Sequence, residues 1–361
     1  TIASTALRNS LFARLGLGAL LIAMALLSGL FFYLVRQAVA ADNQSRLTTA
    51  TLTSQAFVDK LDRNFYERFG DVQAFAYNRL AVVVAERDSA SADLVDFMNT
   101  MTAYYVLYDL MMVVDLQGQP IAVNTKDKDG NKINSSPLLE ANFLHENWFK
   151  SCLSDKGPAG GAWYSDFMKN SHVARIYASE GRGVAFAAPI RDAQGKVLGV
   201  WYNFASWKEI TQPIRRDVEA ELQKSDPDAV VILTNSNGEV IDLADPDLDL
   251  DGLRLAEATT ASEEPMLTNH VKTYADYVSG WATARGAYTY KGNSWKAVTL
   301  LSRSQVNLAE LFSDELLPVV LAVLAALVAV GWVAVRFFRK HITSRLHQIR
   351  DLIEKLSEGR T

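Results

Sequence analysis

Two long runs without a charged residue, one near each end of the chain, constrain its fold more than any other feature. Residues 15–35 and 316–335 contain only uncharged and mostly apolar side chains. A helix of about 20 residues rises about 30 Å, which is the thickness of the hydrocarbon core of a bilayer. We therefore predict two transmembrane helices at these positions. A cleaved signal peptide is the alternative for the first run, but its apolar region would be only about 7–15 residues long.

The charges that flank the two runs predict their orientation in the lipid bilayer. The N-terminal tail carries Arg8 and Arg14 without an acidic residue, and basic residues outnumber acidic ones after the second run. Because basic flanks remain in the cytoplasm, we expect a two-pass protein of the inner membrane with both termini cytoplasmic and a periplasmic or extracellular domain between the spans. The whole chain has a net charge of −5, so this domain is acidic, which argues against nucleic acid as a partner.

A helical pattern follows the first run. Residues 36–86 contain no proline and a single glycine, Gly70, and apolar residues recur about every 3.7 positions, so we predict one helix of roughly 70 Å with one apolar stripe. The stripe consists of Phe57, Leu61, Phe65, Phe69, Val72, Ala76, Leu80 and Val83. We predict a second helix at about residues 92–105.

The remaining predicted elements are short strands in two groups, which favour small antiparallel sheets. The first group consists of residues 110–116, 120–124, 183–190 and 196–204, with a long irregular segment, 125–182, between its second and third strands. The second group consists of residues 229–234, 239–243, 286–290 and 295–301, the last two as a hairpin. The fold class predicted from this pattern is α+β, with two sheet modules on a long N-terminal helix.

A heptad pattern follows the second run. Apolar residues recur at alternating spacings of four and three, which is the pattern of a helix that packs on a partner helix, so we expect a parallel homodimer. These residues are Ile342, Leu346, Ile349, Ile353 and Leu356.

Together these features resemble the double-Cache sensor region of bacterial transmembrane receptors. Residues 64–78 (NFYERFGDVQAFAYN) and 199–207 (GVWYNFASW) are similar to methyl-accepting chemotaxis proteins. The helix from Ile342 resembles the first half of a HAMP domain, although Arg345 stands where proline is usual. The resemblance implies two tandem PAS-like modules and an output domain beyond Thr361 that contacts the chemotaxis kinase and its coupling protein. A histidine kinase, a nucleotide cyclase and a passive tethered binding module are the alternatives.

This interpretation divides the chain into eight segments. They are a cytoplasmic tail (1–14), transmembrane helix 1 (15–35), a long helix (36–90), a membrane-distal PAS-like module (91–210), a membrane-proximal PAS-like module (211–303), a connecting helix (304–315), transmembrane helix 2 (316–335) and the first half of a HAMP-like domain (336–361).

We expect a small-molecule ligand in the distal module, because aromatic side chains with a few polar groups are typical of binding pockets. Strand alternation places Trp201 and Asn203 on one face with Gly199, whose missing side chain leaves space, so we predict this face for the pocket. The other face is predicted to pack on the long helix. The candidate ligand-binding residues are Trp148, Phe149, Trp163, Tyr164, Asp166, Arg175, Trp201 and Asn203.

The resemblance also implies roles for some of these residues. In double-Cache sensors of amino acids, an Arg-x-Trp-Tyr run binds the ligand carboxylate, and a later Tyr and an Asp at a strand end hold the ammonium. Trp148 and Phe149 match the Trp-Tyr pair, but Glu146 stands at the arginine position and Asn203 at the strand-end aspartate position. We therefore expect a cationic or hydroxyl-rich ligand near Asp166, unless Arg175 neutralises that carboxylate. The alternative is that the aromatic residues only form a core.

The sequence contains no clear signature of a catalytic, metal-binding or redox site. There is no phosphate-binding loop, no His-Glu-x-x-His and no Gly-x-Ser-x-Gly, so we expect neither enzymatic activity nor a cofactor. Residues 247–252 match the first half of an EF-hand loop, but the twelfth position is Ala258, so we predict a solvated acidic loop. We expect the single cysteine, Cys152, to be a free buried thiol; a redox sensor and an intersubunit bridge are the alternatives.

Overall fold

The computed structural model describes residues 2–87, 91–154, 156–244, 254–256, 266–268, 277–304, 325–326, 328–333 and 336. The chain divides into two compact units, Thr1–Asn43 with Ser304–Thr361, and Gln44–Arg303. Most of the predicted second span, the whole heptad segment 342–356 and the acidic loop 247–252 lie outside the described residues.

The first helix, α1, runs from Ile2 to Ala76. Among the described residues it is the one helix long and apolar enough to cross a membrane, and none of its most apolar stretch is buried. Side chains such as Leu26 and Phe32 are about two-thirds exposed, at 70% and 68%. An apolar helix with exposed side chains therefore occupies the position of the predicted first span.

Further along, α1 buries the predicted apolar stripe. Phe57, Leu61, Phe65, Phe69 and Val72 are each at most 1% exposed. The prediction of one helix to residue 86 is wrong, however, because α1 ends at Ala76 and a separate helix, α2 (Arg79–Arg87), follows. The side-chain Oδ1 of Asn78 accepts the backbone N–H of Leu80 at 2.8 Å, as an N-capping residue does. The buried residues of α2 are Ala81 and Val84, one position later than the stripe predicted.

The first sheet is antiparallel, with the strand order β2-β1-β6-β5-β3, and β4 also pairs with β5. Its strands match the first predicted group to within about two residues at most ends. They are β1 (Tyr108–Val114), β2 (Pro120–Val123), β3 (Trp163–Tyr164), β4 (Met168–Lys169), β5 (Arg182–Arg191) and β6 (Val197–Ser206). Helix α3 (Ala92–Tyr105) precedes the sheet, as predicted. The segment between β2 and β5 contains a 3-10 helix (Ser136–Glu140), α4 (Asn147–Leu153), a short 3-10 turn (Ala159–Gly161) and α5 (Ser171–Tyr177).

The second sheet follows helix α6 (Trp207–Leu222) and has the antiparallel order β11-β12-β7-β8. Its strands are β7 (Val230–Thr234), β8 (Val240–Asp242), β11 (Tyr277–Thr283) and β12 (Lys296–Ser302), and β9 (Arg254–Ala256) pairs separately with β10 (Met266–Thr268). An α+β fold with a long N-terminal helix and antiparallel sheets is thus present.

The predicted hairpin of residues 286–290 with 295–301 is wrong. Strand β12 pairs instead with β11 over its whole length. The backbone φ angles of Gly286 and Tyr288, inside the predicted strand 286–290, are 82° and 53°, which is not extended strand backbone. Residues 284–295 therefore form a loop before β12, which we call the β11–β12 loop.

Strand β11 contains a glycine, Gly280, because helix α1 passes directly over it. A Cβ atom at Gly280 would overlap the backbone of Ala50 and Thr51. The hydroxyl of Ser54 donates a hydrogen bond to the Gly280 carbonyl at 2.9 Å and also lies 2.8 Å from the Thr299 hydroxyl. The glycine therefore allows α1 to pack directly on the second sheet.

The buried apolar side chains form one large core between α1 and the sheets, a second core on the opposite face of the first sheet, and a smaller third cluster in the second sheet. The first contains the α1 stripe together with residues such as Trp201, Leu233 and Leu301. The second contains Trp148, Tyr202 and other side chains of the segment between β2 and β5. The first sheet is therefore covered on both faces.

Candidate functional site

A cavity of about 280 Å³ lies on the outer face of the first sheet, opposite α1. Its size is near the lower end of the range for small-molecule sites, roughly 300–1,000 Å³. The strands contribute Leu110, Met112, Ala185 and Tyr202, and the segment between β2 and β5 contributes Leu138, Phe143, Glu146, Asn147, Trp148, Trp163, Met168, Lys169, Asn170, Ser171 and His172. Apolar walls with a few polar groups are the usual composition of a ligand site.

Aromatic rings dominate one wall of this cavity. The ring of Trp148 lies 5.6 Å from that of Phe143 and 4.8 Å from that of Tyr202, measured between centroids. Helix α4 holds Trp148 because its neighbours Phe149 and Cys152 are buried on the same helix. Trp148 thus lines the cavity, as predicted, whereas Phe149 packs edge-on against Trp148 at 5.7 Å within the core and does not line it.

Asn170 fixes the polar part of the site. Its Oδ1 accepts the backbone N–H groups of His172 and Val173, at 2.9 and 3.2 Å, and so caps helix α5. Its Nδ2 donates to the hydroxyl of Tyr202 at 3.2 Å. Burial raises the pKa of Tyr202 well above its ordinary value, so this phenol stays neutral and its proton remains available to a ligand.

Charged groups lie at the rim of the cavity. Lys169 is within 3.3 Å of the Glu180 carboxylate, whereas Glu146 precedes α4 and its side chain makes no cap hydrogen bond. Burial, and then the charge of Arg175, lower the pKa of His172 from its usual 6.5, so this imidazole is predominantly neutral at pH 7. Arg175 lines an adjoining cavity of about 60 Å³, which shares His172 with the larger one.

The two residues of β3 face different parts of the fold. Trp163 lines the cavity, whereas Tyr164 packs on Phe69 of α1 and on Tyr290 of the β11–β12 loop, with centroid distances of 5.9 and 4.6 Å. Asp166 accepts a hydrogen bond from the indole N–H of Trp295 at 2.6 Å. Tyr164 and Asp166 are thus not among the cavity-lining residues. The Asp166 carboxylate, which was expected to contact a ligand, binds the indole of Trp295 instead.

The face of β6 predicted for the pocket is the wrong one. Trp201 packs on Phe75 at 5.6 Å and donates its indole N–H to the Oδ1 of Asn203 at 2.7 Å, on the face toward α1. A Cβ atom at Gly199 would lie 2.6 Å from the Val114 carbonyl oxygen and 3.6 Å from the Ala85 side chain. The backbone of the neighbouring strand β1 therefore occupies the space beside Gly199, with α2 at ordinary contact distance, and no space is left for a ligand.

Several cavity residues were missed by reasoning from sequence, above all Tyr202, Asn170, Phe143 and His172. Two signals were available. A tyrosine hydroxyl on the otherwise apolar face of β6 needs a polar partner when it is buried, and an asparagine at position 170, immediately before a short helical segment, is typical of an N-cap. Phe143 carried no such signal.

Cys152 is free and buried, as predicted. Burial raises the pKa of its thiol to about 12, so the reactive thiolate is scarce at neutral pH. Within the part of the chain that the structure describes, no group of three or more His, Cys, Asp or Glu residues is arranged to hold a metal ion.

No protein-family model and no curated protein matches the sequence. Solved structures of sensor domains are similar in fold. The sensor domain of the histidine kinase DctB from V. cholerae is 13% identical, with a TM-score of 0.46 over 73% of this chain and all of that one. The ligand-binding domain of the Pseudomonas fluorescens chemoreceptor CtaA, in complex with L-leucine, is 12% identical, with a TM-score of 0.46 over 73% of this chain and 97% of that one. That of the Pseudomonas aeruginosa PAO1 amino acid chemoreceptor PctB, in complex with L-Arg, is 12% identical, with a TM-score of 0.46 over 78% and 98%. At such identities and TM-scores, these similarities carry no conclusion about the ligand of this chain.

Proposed function

We propose that this chain is the sensor region of a transmembrane receptor, which binds a small extracytoplasmic ligand in the cavity on the first sheet and transmits a conformational signal to the cytoplasm. The observation that carries the proposal is the position of the cavity. It lies on one face of a sheet whose other face packs on α1, and α1 begins with an exposed apolar stretch. A ligand in the cavity would change the packing of a sheet that is attached to a membrane-crossing helix.

Contacts between the cavity region and the second sheet support the transmission of a signal. The β11–β12 loop contacts the chain that follows Trp163, since the Tyr164 hydroxyl donates to the Gly292 carbonyl at 3.3 Å and Asn293 donates to the Ser165 carbonyl at 3.0 Å. The loop leads directly into β12, the last strand before the predicted connecting helix. A displacement of the cavity wall would therefore reach the C-terminal part of the chain through the β11–β12 loop and β12.

The proposal also includes the division of the chain into segments and the type of receptor. The chain would contain a distal module (91–210) and a proximal module (211–303), a connecting helix (304–315), a second span (316–335) and a HAMP-like helix (336–361) that pairs in a homodimer. A chemotaxis receptor, acting on its kinase through a coupling protein, is the output that the sequence resemblance favours. A histidine kinase, a nucleotide cyclase and a passive tethered module are the alternatives.

Helix-phase insertions after Arg336 would test signalling against passive tethering. The chain would be fused to the output domain of a chemotaxis receptor, and kinase activity would be measured in membranes. One inserted residue rotates the following helix by about 100°, whereas seven residues restore the phase to within about 20°. A receptor should change its activity with one residue and recover it with seven. A passive tether should respond to neither insertion.

Cysteines at positions 342 and 349 would test the homodimer. Both positions lie on the heptad seam, so each should cross-link to its copy in the partner chain when the receptor is oxidised in membranes. A cysteine at position 348, off the seam, is the matched control. Equal cross-linking at all three positions, or none at any, would contradict the parallel pairing.

A further inference from the structure

Polar side chains of α1 bind strand β12 at successive positions along both segments. The buried Ser54 hydroxyl lies 2.8 Å from the buried Thr299 hydroxyl. Two turns earlier on α1, Nη1 of Arg46 donates to the Ser302 carbonyl at 3.3 Å. A helix rises about 12 Å over eight residues and a strand advances about 10 Å over three. The two segments therefore stay in contact as both approach the end of β12.

Asp226 holds the end of β12 in place and supplies the countercharge for Arg46. The pairing of β7 with β12 ends at Val230 opposite Leu300, and Asp226 binds the strand beyond that point. Its Oδ2 accepts the Ser302 backbone N–H at 2.6 Å and its Oδ1 accepts the Ser302 hydroxyl at 2.8 Å. The same Oδ2 lies 3.4 Å from Nη1 of Arg46. Asp226 is only 6% exposed, so water does not readily replace these partners.

The chain that leaves β12 makes a contact of the same kind. In the unit that contains the exposed apolar part of α1, the Ser304 backbone N–H donates to Oδ1 of Asn43 at 2.9 Å. Asn43 and Arg46 are three positions apart, so they lie on one face of α1. The partners on α1 and on the outgoing chain thus continue in the same order past the end of the strand.

We infer that α1 and β12 with its outgoing chain move as one body during signalling, held by a clamp of Ser54, Thr299, Arg46, Asp226 and Ser302. The sensor would then transmit a movement of this pair as a whole, and not a slide of the outgoing chain along α1. The inference rests on the proposed function and specifies the motion that the sensor region transmits.

A slide would break the clamp, whereas a movement of the whole pair would leave it intact. A slide of about 2 Å would lengthen a perpendicular hydrogen bond of 2.8 Å to about 3.4 Å, outside the usual range for hydroxyl groups. Ser54 and Arg46 would each lose two contacts. The loss of one hydrogen bond changes an equilibrium constant by roughly fivefold, so four favour the clamped state by roughly several hundredfold. A ligand would need the same preference for the unclamped state merely to populate both states equally.

A disulfide between positions 54 and 299 tests whether the slide occurs. The two hydroxyls are in contact, so Ser54→Cys/Thr299→Cys should form the bond on mild oxidation. The full chain, fused to a chemotaxis output domain, would be assayed for basal kinase activity in membranes. That activity reflects an equilibrium between active and inactive states, so a bond that blocked the slide would shift it; we expect oxidised and reduced forms to agree within about twofold. The two single-cysteine variants control for Cys152.

Arg46→Met tests the clamp from the opposite direction, because it removes the contacts of Arg46 and leaves an apolar side chain. We expect it to change the kinase activity by roughly fivefold or more. The disulfide between positions 54 and 299 should return the activity to the wild-type value, which a merely structural role of Arg46 does not predict. The matched control is Arg63→Met, at an exposed position of the same helix, and the thermal midpoint checks that each variant is folded.

Failure of this inference is distinguishable from failure of the proposed function. The inference is overturned if the disulfide does not form, if it shifts the kinase activity strongly, if Arg46→Met has no more effect than Arg63→Met, or if the disulfide does not reverse the effect of Arg46→Met. The receptor function stands in each case if one residue inserted after Arg336 changes the activity. If that insertion and all of these variants leave the activity unchanged, the receptor function fails as well.

Discussion

Replacing Asp62 by alanine should detach α1 from the β11–β12 loop. Asp62 is 5% exposed, and one of its oxygens, Oδ2, accepts the backbone N–H groups of both Arg285 and Gly286, at 2.8 and 2.7 Å. A buried donor that loses its acceptor costs about 1–3 kcal/mol, so we expect Asp62→Ala to lower the free energy of unfolding by roughly 3 kcal/mol. For a unit of this size that corresponds to a decrease in Tm of roughly 6–12 °C.

Asp62→Asn should behave differently. The amide oxygen of asparagine can accept both N–H groups from the position of Oδ2, and no ionised group is then buried. Burial raises the pKa of Asp62 from 3.8, so the folded chain binds the proton more tightly than the unfolded chain. The contribution of Asp62 to stability is therefore complete at pH values below 3.8 and decreases as the pH rises through the folded-state pKa. At pH 7 we expect Asp62→Asn to lie within about 1 kcal/mol of the wild type.

Thermal unfolding of the full chain in detergent, followed by circular dichroism at pH 7, measures both effects. Asp59→Ala is the matched control, because Asp59 is an exposed carboxylate on the same helix, about one turn away. The reasoning is refuted if Asp59→Ala lowers the Tm as much as Asp62→Ala does. It is also refuted if Asp62→Asn is as damaging as Asp62→Ala, since the loss would then come from the charge and not from the two unsatisfied donors.

Two further predictions concern packing and buried charge, and the same unfolding measurement tests both. Gly280→Ala should destabilise the chain by roughly 1–3 kcal/mol, because its Cβ would overlap the backbone of α1. Gly70→Ala, in an open part of α1, should stabilise the chain by about 0.5–1 kcal/mol. Equal effects of the two substitutions would contradict the close approach of α1 to Gly280. Arg215→Met should cost roughly 3–5 kcal/mol at pH 7, because the Glu219 and Asp242 carboxylates would remain buried without their cation. Burial already raises the pKa of each carboxyl, so protonation should restore part of that loss as the pH falls toward the raised pKa values. A loss that grows as the pH falls would contradict this account.

Local patterns predicted local structure well. Helix α3 has the predicted bounds, and the strands of the first sheet lie where apolar, β-branched residues are bounded by turn residues. The α1 stripe from Phe57 to Val72 is buried as its periodicity indicated. Helix and strand positions depend mainly on interactions between residues close together in the sequence. The buried face of a helix is indicated by the spacing of its apolar residues.

Apart from the end of α1 at Ala76, where the capping residue Asn78 is local, the errors come from contacts between distant residues. Strand β6 is buried on both faces, so alternation could not show which face borders the cavity. The space at Gly199 is filled by the carbonyl oxygen of Val114 on the neighbouring strand. Strand β11 was missed because Gly280 weakens a strand pattern, and the reason for this glycine, the backbone of Thr51, lies more than two hundred positions away. Trp148 and Trp163 line the cavity because the segment that carries them packs on the outer face of the sheet, and their role in ligand binding stays a prediction.

The strand Trp163–Tyr164 joins the two faces of the first sheet. Its two side chains belong to different compartments, one to the cavity and the other to the interface with α1 and the second sheet. A single peptide plane joins them, and this plane is nearly rigid. The backbone of this short strand is therefore shared by the two compartments, so a displacement of the strand itself would move the attachment points of both rings.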